Sequence, residues 1–187
     1  MKKFLAIAAL AIFTLPALNA QESTFNLGDQ VVNLGIGLGS TLYGGFGGSG
    51  IPPLSVSFEK AIKDEILEKG VIGVGGYVGF SSYKYRYSYL SYDYGWNYTN
   101  IVISALGNFH YPLVDKLDTY AGVMLGYNIG TVKEYGDIPT GTYSDSYGGL
   151  VFASYVGARY YFKDNMSAFA QLGYGIAYLT LGVSFKL

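Results

Sequence analysis

The sequence predicts an all-β chain, an eight-stranded antiparallel up-and-down transmembrane β-barrel, on three observations. Eight segments alternate apolar and polar residues, so each lays its apolar side chains on one face of an extended strand. The opposite faces carry glycine, serine, asparagine and tyrosine, with little charge. Long connections alternate with short ones, as in membrane barrels with tight turns at one end and loops at the other.

Residues 1–20 read as a signal peptide. Lys2 and Lys3 precede the apolar run Phe4–Leu15, Pro16 breaks it, and Leu18-Asn19-Ala20 offers a small-residue cleavage site. That run is shorter than the roughly 20 residues a spanning helix needs. Residues 21–187 are then the barrel domain.

The first strand sets Val32, Leu34, Ile36 and Leu38 against Asn33 and three glycines. The second opposes Leu54, Val56 and Phe58 to Ser55, Ser57 and Glu59. The third places Ile72, Val74, Val78 and Phe80 opposite Tyr77 and glycines. In the fourth, Ile101, Ile103, Ala105, Phe109 and Tyr111 face away from Asn100, Ser104, Asn108 and His110, with Val102 and Leu106 as apolar exceptions on the polar side. The fifth opposes Val123, Leu125, Tyr127 and Ile129 to Tyr120, Met124 and Asn128. The sixth opposes Leu150, Phe152, Val156, Tyr160 and Phe162 to Ala153, Tyr155 and Arg159. The seventh opposes Met166, Ala168, Ala170 and Leu172 to Ser167, Gln171 and a large apolar Phe169. The eighth, Ala177–Leu187, alternates without error.

Alternation does not say which face is inside, because a soluble lipocalin-like barrel alternates with its apolar face inward. The polar faces decide. A solvated exterior carries about 25–35% charged residues, whereas here Glu59, Arg159 and Lys186 are nearly the only charges and the whole chain is 13% charged. Glycines and tyrosines suit a narrow lumen, and Phe58, Phe109, Tyr111, Tyr160, Phe162 and Phe185 gather at strand ends like an interfacial girdle. The long connections are Ser40–Pro53, Ser81–Asn97 and Thr131–Tyr147. The short ones are Pro112–Leu117 and Lys163–Asn165. Lys60–Lys69 is read as a longer turn with a helical turn through Ile66 and Leu67, and the last loop, near Gly175, is nearly absent.

With this strand pattern and the ending Gly182-Val-Ser-Phe-Lys-Leu187, the chain resembles the OmpA/OmpX-type family of small outer-membrane barrels. In detail it is similar to the outer-membrane β-barrel proteins of Bacteroidetes-type bacteria, over essentially 21–187. The resemblance implies residence in the outer membrane of a Gram-negative cell, after export, and insertion by the barrel-assembly machinery reading the final strand. It also implies contact with outer-membrane lipids, lipopolysaccharide included.

Candidate chemistry is sparse. Glu59, His110, Arg159 and Lys186 share the inward face near the periplasmic strand ends, where they form either a compensated polar plug, with Glu59 between Arg159 and Lys186, or a gated ion path. His110 is the one histidine, and there is no cysteine, so metal, thiol and triad chemistry lack their residues. His110 is also predicted in the leaflet opposite lipid A. No cofactor is expected, and a net charge of −1 gives no general attraction to nucleic acid.

The stretch Ser81–Asn97 stands out. Tyr83, Lys84, Tyr85, Arg86, Tyr87, Tyr89, Tyr92, Tyr94 and Trp96 predict a hairpin above the membrane whose rings either recognise a partner or cover one another. The expected role is non-enzymatic, structural or surface-interacting, including as a small subunit of a larger outer-membrane complex with another protein. A narrow porin-like channel is the alternative, and a lipid A-modifying enzyme the third reading.

Overall fold

The computed structural model describes residues 24–40, 42, 49–89, 92–136 and 143–187. The predicted signal peptide lies outside them. Eight strands follow in order: β1 Gln30–Ser40, β2 Ser49–Ile66, β3 Gly70–Tyr89, β4 Tyr92–Val114, β5 Leu117–Gly136, β6 Ser144–Lys163, β7 Met166–Tyr174 and β8 Ala177–Lys186. Each pairs antiparallel with the next, and β1 closes on β8. Among the described residues there is no helix.

Closure fixes the geometry. From Gly35, the register runs through Ser55, Gly79, Val102 and Asn128 to Gly149 on β6. In the other direction it runs through Gly182 and Phe169 to Arg159, ten residues further along that strand. A stagger of that size over eight strands tilts them by about 40° and leaves an interior that side chains can fill.

The alternation sorts as expected. Val56, Ile103 and Leu125 point outward and are half exposed or more, whereas Asn100, Val102, Asn108 and Tyr155 are buried in the lumen. A continuous apolar outer belt of this kind belongs in hydrocarbon, and only a closed barrel satisfies every backbone group there.

The connections are shorter than the sequence reading has them: β2 begins at Ser49, β5 runs on to Gly136 and β6 starts at Ser144, because the strands keep pairing beyond the apolar belt. Lys60–Ile66 continues β2 as strand, with register shifts after Ala61 and Lys63, and only residues 67–69 form the turn. Leu67 and Glu68 make it in the left-handed region, at φ 52° and 78°, and Glu65, near the end of β2, is left-handed as well at 57°. No helical turn forms because β3 offers partners as far as Ile66↔Gly70, which satisfy the backbone better than a single isolated turn. The tyrosine-rich stretch is a hairpin, with β3 and β4 in unbroken register from Val71↔His110 to Tyr89↔Tyr92. β7 and β8 are joined by Gly175 and Ile176 alone. The rim therefore stands high over β3–β6 and low over β7, β8 and β1.

Candidate functional site

Two places concentrate polar chemistry. At the end of the lumen where the short turns lie, β2, β4, β5 and β6 each contribute one side chain to a closed ring. Glu59 Oε2 lies 2.5 Å from an Arg159 terminal nitrogen, and the other terminal nitrogen lies 3.0 Å from Asp118 Oδ2. Asp118 Oδ1 is 2.8 Å from His110 Nδ1, and His110 Nε2 is 2.6 Å from Glu59 Oε1. All four are buried. Both imidazole nitrogens face carboxylate oxygens, a geometry in which an imidazolium would donate from both and two acids would balance two cations.

Neighbouring groups hold the ring in place. Asn108 Nδ2 donates to Glu59 Oε1 at 2.8 Å, and Tyr155 Oη donates to Asn108 Oδ1 at 2.6 Å. The Arg159 guanidinium lies over the Tyr120 ring at 4.7 Å and beside the Phe25 ring at 5.7 Å. Tyr120 fits because its cross-strand neighbour is Gly157, where a Cβ would meet the phenol ring at about 2.5 Å. Phe25 is buried and closes the lumen from below, with its ring 4.3 Å from that of His110.

Lys186 does not join this ring, contrary to the layer read from the sequence. Its Nζ lies 2.5 Å from Asp29 and donates to Thr24 O at 3.3 Å, so it clasps the residues just before β1 to the last strand. Neither Asp118 nor Phe25 was foreseen. Asp118 shares the inward parity of Tyr120 but stands before the segment that reads as strand, and Phe25 precedes any alternation. The parity of Asp118 was the available signal.

Above the ring is a cavity of about 30 Å³, room for about two waters. Val102, Leu106, Met124, Val151, Ala153 and Ile176 then pack together across the lumen, with Leu42 against them. The apolar exceptions on β4 are thus part of a plug.

The second place is the sheet that β3–β6 raise above the belt. On its inner face the register sets Tyr83, Tyr98, Val132 and Asp145 in one row and Tyr85, Trp96 and Glu134 in the next. Tyr143 extends the second row: Glu134 N donates to its carbonyl at 3.0 Å, and its ring centroid is 5.7 Å from that of Trp96. Rings meet at 4.5 Å between Tyr83 and Tyr85 and at 6.0 Å between Tyr85 and Tyr98. Tyr143 Oη donates to Asp145 Oδ2 at 3.0 Å, and that bond raises the phenol above its ordinary pKa.

The outer face carries Lys84, Asn97 and Lys133 in register, then Arg86, Gly95 and Tyr135. Gly95 lets Tyr135 cross it and donate to Tyr85 O at 3.2 Å. Tyr94 pairs with Tyr87 in register, but the side chains of Tyr87, Tyr89 and Tyr92 lie outside the described ones.

Solved structures share this fold. The attachment invasion locus protein Ail of Yersinia pestis matches over 86% of this chain and 96% of its own, at 13% identity and a TM-score of 0.48. Its structure in complex with the heparin analogue sucrose octasulfate matches over the same shares, at 14% identity and a TM-score of 0.51. A de novo designed transmembrane β-barrel matches over 87% of this chain and 98% of its own, at 16% identity and a TM-score of 0.39. No protein-family model matches the chain, and no curated protein does. The likeness concerns the fold.

Proposed function

We propose that the chain is an integral outer-membrane barrel that works without catalysis, as a surface protein whose raised β3–β6 sheet meets a partner. One observation carries this reading: the barrel projects an aromatic-lined sheet well beyond its apolar belt while its lumen is blocked. Transport and lumen catalysis would need the space that the ionic ring and the apolar plug occupy.

The outer face supports this placement. Past the belt residues Phe80, Ile101 and Ile129 come the hydroxyls of Ser82, Thr99, Thr131 and Ser146, then Lys84 and Lys133. Lys84 stands four residues beyond Phe80, roughly 10 Å along the membrane normal for a tilted strand. That order suits lipid, then sugar, then phosphate in lipopolysaccharide. Export, insertion by the barrel-assembly machinery through β8, and contact with a second outer-membrane protein along the belt complete the reading.

The chain has no cysteine, so single cysteines report topology cleanly. Ser144→Cys should react with a membrane-impermeant maleimide on intact cells, and Asp164→Cys, in the β6–β7 turn, only after lysis. The reverse pattern, or equal labelling of both, would overturn the placement.

A further inference from the structure

The raised sheet separates its charges by face. Lys84, Arg86 and Lys133 all point outward, whereas Glu134 and Asp145 point to the inner, concave face. Among the described side chains, the inner face of this sheet carries no Lys, Arg or His. Its remaining surface is aromatic: Tyr85 is 40% and Tyr143 51% exposed, and Trp96 is half-buried between them and Glu134.

We infer that this inner face binds a peptide segment through its Lys or Arg side chains. Aromatic faces attract cations through the negative potential of the ring, most strongly for tryptophan, and neighbouring carboxylates supply the countercharge. Trp96, Tyr143, Glu134 and Asp145 present both features side by side. Each carboxylate keeps acceptor capacity: Glu134 Oε2 takes only a 3.4 Å contact from Tyr143 N, and Asp145 takes bonds from Ser146 N and Tyr143 Oη. The face spans β3 to β6, about 14 Å at the usual strand spacing, broader than one ammonium needs and suited to several residues of an extended chain. The low rim over β7, β8 and β1 leaves the strand walls absent on the approach side. Anionic polymers are repelled there, and the cations that would hold them are on the opposite face.

The inference rests on the surface-protein reading and deepens it by giving the partner's chemistry. Trp96 is the sole tryptophan, so its emission reports this face directly. The barrel, purified in a non-ionic detergent, would be titrated with the peptide acetyl-Gly-Arg-Gly-Arg-Gly-amide and with its counterpart bearing Glu for Arg. A saturable change in Trp96 emission is expected with the Arg peptide alone. Binding should weaken at least tenfold in Glu134→Gln/Asp145→Asn, and stay within twofold in Lys84→Gln/Arg86→Gln/Lys133→Gln. Equal responses to both peptides, or unchanged binding in the carboxylate variant, would overturn the site. Equally tight binding of spermidine would overturn a peptide as the occupant. Cysteine labelling reads surface exposure separately, so failure of the titration leaves the topology result standing.

Discussion

Arg159 is the residue on which the lumen depends most. It contacts both buried acids and lies between two aromatic rings. Removing one partner of such a set strands charge in a low-dielectric interior, which costs about 3–5 kcal/mol. Arg159→Ala should therefore lower the unfolding free energy in detergent by that amount, read by urea titration. Lys186→Ala should cost about 1 kcal/mol or less, because that pair stays partly exposed, at 23% and 21%. Equal losses in the two variants would mean that the ring is no better built than the clasp. A smaller effect is expected at the β2–β3 turn. Leu67 is left-handed at φ 52° and 74% exposed, so its side chain gives up little packing. Leu67→Gly should raise stability by about 0.5–1 kcal/mol in the same titration, through relief of backbone strain.

The apolar plug belongs to the scale of elements. β4, β5 and β6 place Val102, Leu106, Met124, Val151 and Ala153 on the lumen side, where they meet Ile176 of the β7–β8 turn. The native barrel should show no steady conductance in planar bilayers, and Arg159→Ala alone should not open it. Replacing Val102, Leu106 and Met124 by serine together with Arg159→Ala should give ion current, because both barriers are then lost. Current from Arg159→Ala alone would show that the ionic ring is the only barrier. The plug also marks how far the sequence could be read. Parity assigned every strand face, and it flagged Val102, Leu106 and Phe169 as misplaced on the polar side. It could not show that Leu106, Met124 and Ala153 meet Ile176 in one cluster, because that contact depends on how the closed barrel brings the β7–β8 turn over β4–β6. The same limit makes Lys186 read as a member of the ring, and the fifth alternating segment begins only after Asp118.

At the scale of the whole molecule, the ten-residue stagger fixes strand inclination. Polarised infrared spectroscopy on oriented bilayers should report strands tilted by about 40° from the membrane normal. Strands lying in the membrane plane would contradict a spanning barrel. The fold was legible because period-two patterning survives in every strand and because a lumen needs small and hydroxyl-bearing residues. The raised sheet was legible in part: its tyrosines announced a hairpin, but the division of charge between its faces emerges only once β3, β4, β5 and β6 are in register.

The two edges of the sheet meet at a single seam. The four members of the ionic ring come from β2, β4, β5 and β6, so a curled but still open sheet already holds all of them. The Lys186–Asp29 contact joins the last strand to the residues before the first, beside the seam where β1 and β8 pair. The ring and the clasp thus secure different parts of the barrel: one braces β2 to β6 from within, the other locks the seam where the sheet closes on itself.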